Sequence, residues 1–226
     1  MEDISTSQLL KPLEQLYLAG NYQGTIDKLL EMRDQLDLGI YYYNLGTLQA
    51  KVGDMGAARY SLEQAQSYGF NSTTVKNNLN FVKNNLAQNG VVMEYSSPKD
   101  KMLEFSSSFG MSSVLIVSLL FVLVTQAIYF FAKRKWDRTL VVLIFIFILP
   151  IAAKFYVDQT FIQAVTLKDG PVYEGPSQIF EKKLDIKSGA KLVVKNNGDG
   201  WYLIQSPQEY IGWILGPQLA FLRNKQ

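Results

Sequence analysis

The chain has no cysteine and no histidine among its 226 residues. Without cysteine there is no disulfide framework and no thiolate metal site. Without histidine, the commonest general base near neutral pH is missing, and with it the usual catalytic triads and most zinc sites. Carboxylates and lysines remain, but nothing aligns Glu174, Glu181 or Asp185 with a nucleophile or a second acid. The sequence therefore leads to the expectation of a protein that is not an enzyme and needs no cofactor. The net charge of +2 is small and points to neither nucleic acid nor an acidic substrate as a partner.

Charge is also scarce locally. From Phe105 to Ala132 no residue is charged, and from Thr139 to Val157 only Lys154 is. A hydrocarbon layer of about 30 Å takes roughly 20 helical residues to cross. The two runs are long enough to be read as transmembrane helices over 113–132 and 139–157, with Pro150 loosening the last turns of the second. The other reading, a pair of buried core helices, would need a far larger surrounding shell. Between the runs lies a basic loop, 133–138, with Lys133, Arg134, Lys135 and Arg138. So short a connection predicts an antiparallel hairpin with everything else on one side. Short loops rich in Lys and Arg stay in the cytoplasm. The expected location is thus a bacterial inner membrane, multi-pass, with both flanking parts in the periplasm. MEDISTSQLL lacks the basic start and apolar stretch of a signal peptide, so either a signal has been removed, the favoured reading, or the orientation is inverted.

Residues 1–88 carry helical periodicity in two copies of about 34 residues. In the better copy, Tyr42, Leu45 and Gly46 open the first helix, and Gly53 falls in the turn. Ala58, Leu62 and Ala65 give a small–large–small face on the second helix. The first copy keeps Leu9, Leu16, Gly20, Tyr22, Leu29 and Met32, with Leu13 in place of the glycine. Asn71-Ser72-Thr73 can cap a further helix, on which Val75, Leu79, Phe81, Val82 and Leu86 recur at helical spacing. This spacing resembles tetratricopeptide repeats with a capping helix, although Gln49 replaces the usual aromatic. The resemblance implies a concave, peptide-binding face, and the repeat register assigns to it Leu10, Glu14, Tyr43, Asn44, Thr47, Asn77 and Phe81. A generic helical bundle is the other reading of the same pattern.

Residues 89–112 carry Ser, Gly and Pro and read as a linker. In 160–226 the pattern changes to short alternating runs, FIQAVTL, KLVVK, WYLIQ and EYIGWIL, with a tight-turn signal at Asn197-Gly198-Asp199-Gly200. Gly212 between Ile211 and Trp213 suits a close backbone approach. VYEGPS, SGAKLVV, DGWYLI and GWI together resemble a bacterial SH3-like domain. That likeness implies a small all-β barrel whose Tyr173, Trp201, Tyr210 and Trp213 could line a shallow aromatic groove, unless the tryptophans fill the barrel core.

The expected fold class is a multidomain membrane protein: all-α tetratricopeptide repeats, a transmembrane α-helical hairpin and a small all-β SH3-like barrel. In this order the elements resemble the BatE-like proteins of the Bacteroides aerotolerance operon. That resemblance implies a non-enzymatic, membrane-integral adaptor linked to aerotolerance or envelope stress. It also implies partners among von Willebrand A-domain membrane proteins and a functional link to a MoxR-type AAA+ ATPase. The alternative function is a cell-wall sensor that binds peptidoglycan through the SH3-like domain.

Overall fold

The computed structural model describes residues 6–92, 98, 111–132, 149, 151–152, 154–156 and 162–222, with side chains from residue 11 in the first segment and over 112–127 in the third. The first segment is helical: α1 (Thr6–Leu18), α2 (Tyr22–Glu31), α3 (Leu38–Lys51), α4 (Met55–Ser67) and α5 (Thr73–Gln88). Each of α2 to α5 starts at a side-chain oxygen that accepts an otherwise orphaned N–H. Asn21 accepts from Gly24 at 3.0 Å, Asp37 from Ile40 at 3.1 Å, Asp54 from Ala57 at 3.1 Å and Ser72 from Val75 at 3.2 Å. The turn before α4 uses Gly53 at φ +85°, a conformation that a Cβ would oppose.

Successive helices pack on one another. Where α3 crosses α4, a Cβ on Gly46 would lie 2.8 Å from Leu62 Cγ and 3.1 Å from the Ala58 carbonyl. The glycine is what lets the two backbones approach. Leu13, Leu29, Leu45 and Leu48, with Tyr41 and Tyr42, form the buried core of the first three helices.

Residues 162–222 form one antiparallel sheet: β1 (Ile162–Thr166), β2 (Gly170–Tyr173), β3 (Lys182–Ile186), β4 (Lys191–Asn196), β5 (Trp201–Ser206), β6 (Trp213–Leu215) and β7 (Leu219–Phe221). The spatial order is β3-β2-β6-β5-β4-β1-β7. The turn from β4 to β5 places Gly198, Asp199 and Gly200 at φ +87°, +51° and +76°, which the Asn-Gly-Asp-Gly run accommodates. Gly212 lies against Val172, whose Cγ1 would be 2.5 Å from a Cβ there.

The helices and the sheet share a core. Ala58 and Leu62 of α4, with Leu79, Val82 and Leu86 of α5, belong to the same buried cluster as Val172, Ile186, Leu192, Val194, Ile204 and Ile214. The buried positions of α5, namely Val75, Leu79, Val82 and Leu86, recur at the spacing of one helical stripe. That stripe is what places the helix on its neighbours.

This architecture corrects the expected fold class. Instead of an all-α repeat domain joined through a membrane hairpin to a separate all-β barrel, the chain has mixed α and β structure with helices docked on a sheet. The physical reason is that α4 and α5, besides packing on neighbouring helices, bury Ala58, Leu62, Leu79, Val82 and Leu86 in one apolar cluster with the sheet. The sheet is not a closed barrel in the described residues, since β3 and β7 end the hydrogen-bonding order without pairing to each other.

The transmembrane reading is corrected as well. Among the described residues, no helix is long and apolar enough to cross a membrane. The first apolar run does form a helix, α6 (Met111–Ala132). In the second run only Leu149, Ile151, Ala152 and Lys154–Tyr156 are described, all helical. Lys154, the one charged residue of that run, is buried. The basic loop with Lys133, Arg134, Lys135 and Arg138 lies outside the described residues. The membrane-integral character, the multi-pass inner-membrane location and the periplasmic placement of the flanking parts are therefore withdrawn.

Candidate functional site

The helical layer carries a cavity of about 300 Å³ between α1, α2 and α3. Leu13, Leu29 and Leu48 line its apolar part, and all three are buried. They reach it because each falls on the inward stripe of its own helix, one from each of the three helices. Tyr17 and Tyr43 supply aromatic lining. Tyr17 meets Tyr22 edge-on, with ring centroids 5.4 Å apart, and Tyr43 leans on Phe70 at 5.3 Å.

Four polar residues complete the lining: Glu14, Thr25, Asn44 and Thr47. The two hydroxyls are engaged within the protein. Thr25 Oγ1 donates to the Asn21 carbonyl at 2.7 Å, and Thr47 Oγ1 donates to the Tyr43 carbonyl at 2.9 Å. Asn78 Nδ2 of α5 in turn donates to Thr47 Oγ1 at 3.1 Å, which ties α5 to the cavity wall. The exposed carboxylate of Glu14 and the half-buried carboxamide of Asn44 form no side-chain hydrogen bond or ion pair among the described residues. These two groups are available to a ligand.

Of the residues assigned to the concave face, the structure gathers Glu14, Tyr43, Asn44 and Thr47 around this cavity. Asn77 and Phe81 are exposed on α5 and do not line it. Leu10 lies on α1, and its side chain is outside the described residues. Sequence reasoning missed Leu13, Tyr17, Thr25, Leu29 and Leu48. The signal was present in α1, where Tyr17 follows Leu13 by four residues and Glu14 by three, the spacings of one helix face.

On the sheet, three of the four aromatic candidates come together. Tyr173 and Trp213 are cross-strand partners between β2 and β6, and Trp201 meets Tyr173 edge-on at 5.6 Å. Trp201 is buried, whereas Tyr173 and Trp213 are half-buried. Tyr210 is placed elsewhere. It is buried in the core shared with the helices, and its hydroxyl accepts from the Val92 N–H at 3.1 Å.

A third group of polar side chains lies at the seam between helices and sheet. Glu63 of α4 is buried and uses both carboxylate oxygens. Oε1 accepts from Arg59 Nε at 3.1 Å, and Oε2 pairs with Lys191 Nζ of β4 at 2.5 Å. Arg59 Nη1 also donates to the Gly189 carbonyl at 2.7 Å. Burial pushes the Glu63 carboxyl up, but Lys191 and Arg59 outweigh it and hold the group down at about 2. At pH 7 this is a buried carboxylate between two cations, suited to fastening two layers rather than to moving protons. Gln64 Nε2 adds a bond to the Phe221 carbonyl of β7 at 3.1 Å, and Lys187 Nζ one to the Asn89 carbonyl at 2.5 Å.

Among the described residues, no group of three or more acidic side chains gathers as a metal site. Comparison with protein-family models, with curated proteins and with solved structures returns no match for this chain.

Proposed function

We propose that this chain is a non-catalytic adaptor whose helical layer binds a short segment of a partner protein. The observation that carries the reading is the cavity between α1, α2 and α3. It has an apolar floor of three leucines, and it presents one carboxamide and one carboxylate with no internal partner. A carboxamide offers both donor and acceptor to a peptide unit. An apolar pocket with a few convergent polar groups is the usual form of a small binding site. The sheet acts as the base that keeps the groove in shape, because α4 and α5 are fastened to it by a common core and by the Glu63 ion pairs. The partners implied by the sequence resemblance, von Willebrand A-domain proteins with a MoxR-type ATPase, are the first to test against the groove.

The test uses a photo-crosslinking residue in the full chain, placed either at Tyr17 on the groove or at exposed Lys195 on β4. A discrete adduct from Tyr17 that is absent from Lys195, and that is lost when Asn44→Trp fills the cavity, is the expected result. Identical adducts from both positions, unaffected by Asn44→Trp, would rule the groove out.

A second reading, a peptidoglycan-binding face, has one supporting observation: Tyr173 and Trp213 stand side by side and half-exposed on the sheet. The withdrawal of Tyr210 into the core weakens it. Retention of the full chain on purified sacculi, lost on Trp213→Ala, is what this reading requires.

A further inference from the structure

We propose that the groove between α1, α2 and α3 selects a segment in which a cationic side chain, lysine or arginine, neighbours an apolar one. This rests on reading the groove as the binding site and specifies what enters it. Among the described residues that line the cavity, Glu14 is the only charged one, and none is a lysine or arginine. Lys11, one turn earlier on α1, forms no ion pair with Glu14, so the carboxylate is not neutralised within its own helix.

The neighbouring chemistry points the same way. Tyr17 lies three residues after Glu14 on α1 and lines the same cavity, which places a ring beside a carboxylate on one helix face. That combination attracts a cation through the charge and the aromatic face together and repels an anion. The threonine hydroxyls are committed to backbone carbonyls, so they leave no donor for a carboxylate or phosphate. Asn44 remains to hold a peptide unit. Leu13, Leu29 and Leu48 provide the apolar contact. A volume of about 300 Å³ is at the small end for ligand pockets. It fits one apolar side chain and the adjoining backbone, not a whole helix.

The experiment uses three end-blocked pentapeptides with leucine on both sides of a central lysine, glutamine or glutamate. Each carries a fluorophore and is titrated with the full chain by fluorescence polarisation. The expected order of affinity is lysine, glutamine, glutamate, with the extremes at least about threefold apart at low salt, as a solvent-exposed ion pair allows. The gap narrows as salt is raised. Glu14→Gln removes the gap, and Glu14→Lys inverts the order. Glu14 is exposed and unpartnered, so neither change threatens the fold. Equal affinity for all three peptides, still weakened by Asn44→Ala, overturns the cation preference and leaves the groove as the site. No binding of any of the three overturns the groove reading together with the preference.

Discussion

Glu63 has both oxygens in ion pairs away from water, so its neutralisation takes a buried counter-charge from Arg59 and Lys191. Breaking a buried pair from one side costs about 3–5 kcal/mol. Glu63→Gln should therefore lower the unfolding free energy by roughly that amount, read from urea titration at pH 7. The same residue sets an acid limit. Its carboxyl titrates at about 2 in the folded chain, below the ordinary 4.5, so the unfolded state takes up the proton first. The stabilisation is complete above about pH 5 and is lost as the pH falls from there toward 2. Urea midpoints from pH 7 to 3 should decline over that window in the native chain and decline less in Glu63→Gln. Gly189 is a second sensitive point. Its φ of +85° is unfavourable for any Cβ, and a Cβ there would lie 2.6 Å from Leu86 Cδ2. Overpacking alone costs about 1–3 kcal/mol, so Gly189→Ala should lower stability by at least about 2 kcal/mol once backbone strain is included. The sequence held little warning of either. Arg59 and Glu63 stand four apart, which on a helix ordinarily describes a solvated surface pair. Only the sheet laid over them makes the pair a buried one.

At the level of elements, local chemistry was readable wherever it is settled by neighbours in the chain. Asn71-Ser72-Thr73 was expected to cap a helix, and Ser72 caps α5. Ser72→Ala should cost about 1 kcal/mol, seen as a drop in the thermal midpoint of the helical signal without loss of the folded baseline. The turn at Asn197–Gly200 and the close approach at Gly212 were visible because few residues other than glycine fit there. What escaped was the partner of each apolar face. Val75, Leu79, Val82 and Leu86 mark an inward stripe on α5, but a stripe does not say whether a helix or a sheet covers it. For the same reason Tyr210 was placed in a surface groove, when its hydroxyl accepts from Val92 beyond the end of α5. The uncharged run 105–132 failed differently. Absence of charge is not by itself a span: among the described residues, no helix is long and apolar enough to cross a membrane. In the candidate site, Glu14, Tyr43, Asn44 and Thr47 were found from repeat register. Their leucine floor was not, because buried leucines at helical spacing occur in every helical core.

In the molecule as a whole, helices and sheet form a single body, and that body carries the groove between α1, α2 and α3. The common core joins Leu62, Leu79 and Leu86 to Leu192, Ile204 and Ile214, and the seam bonds cross at Glu63, Arg59, Gln64 and Lys187. A ligand that binds only the folded state raises its stability by about 2.7 kcal/mol at a hundredfold excess over Kd. If the body is one cooperative unit, a ligand on α1–α3 must stabilise the distant sheet equally. The decisive measurement is thermal unfolding of the full chain carrying Trp136→Phe, with and without the lysine pentapeptide. Far-UV circular dichroism follows the helices, and emission from Trp201 and Trp213 follows the sheet. The account predicts coincident transitions that rise together when the peptide is added. Separate transitions, or a peptide shift confined to the helical signal, would contradict the single body, and no shift in either signal would contradict the groove.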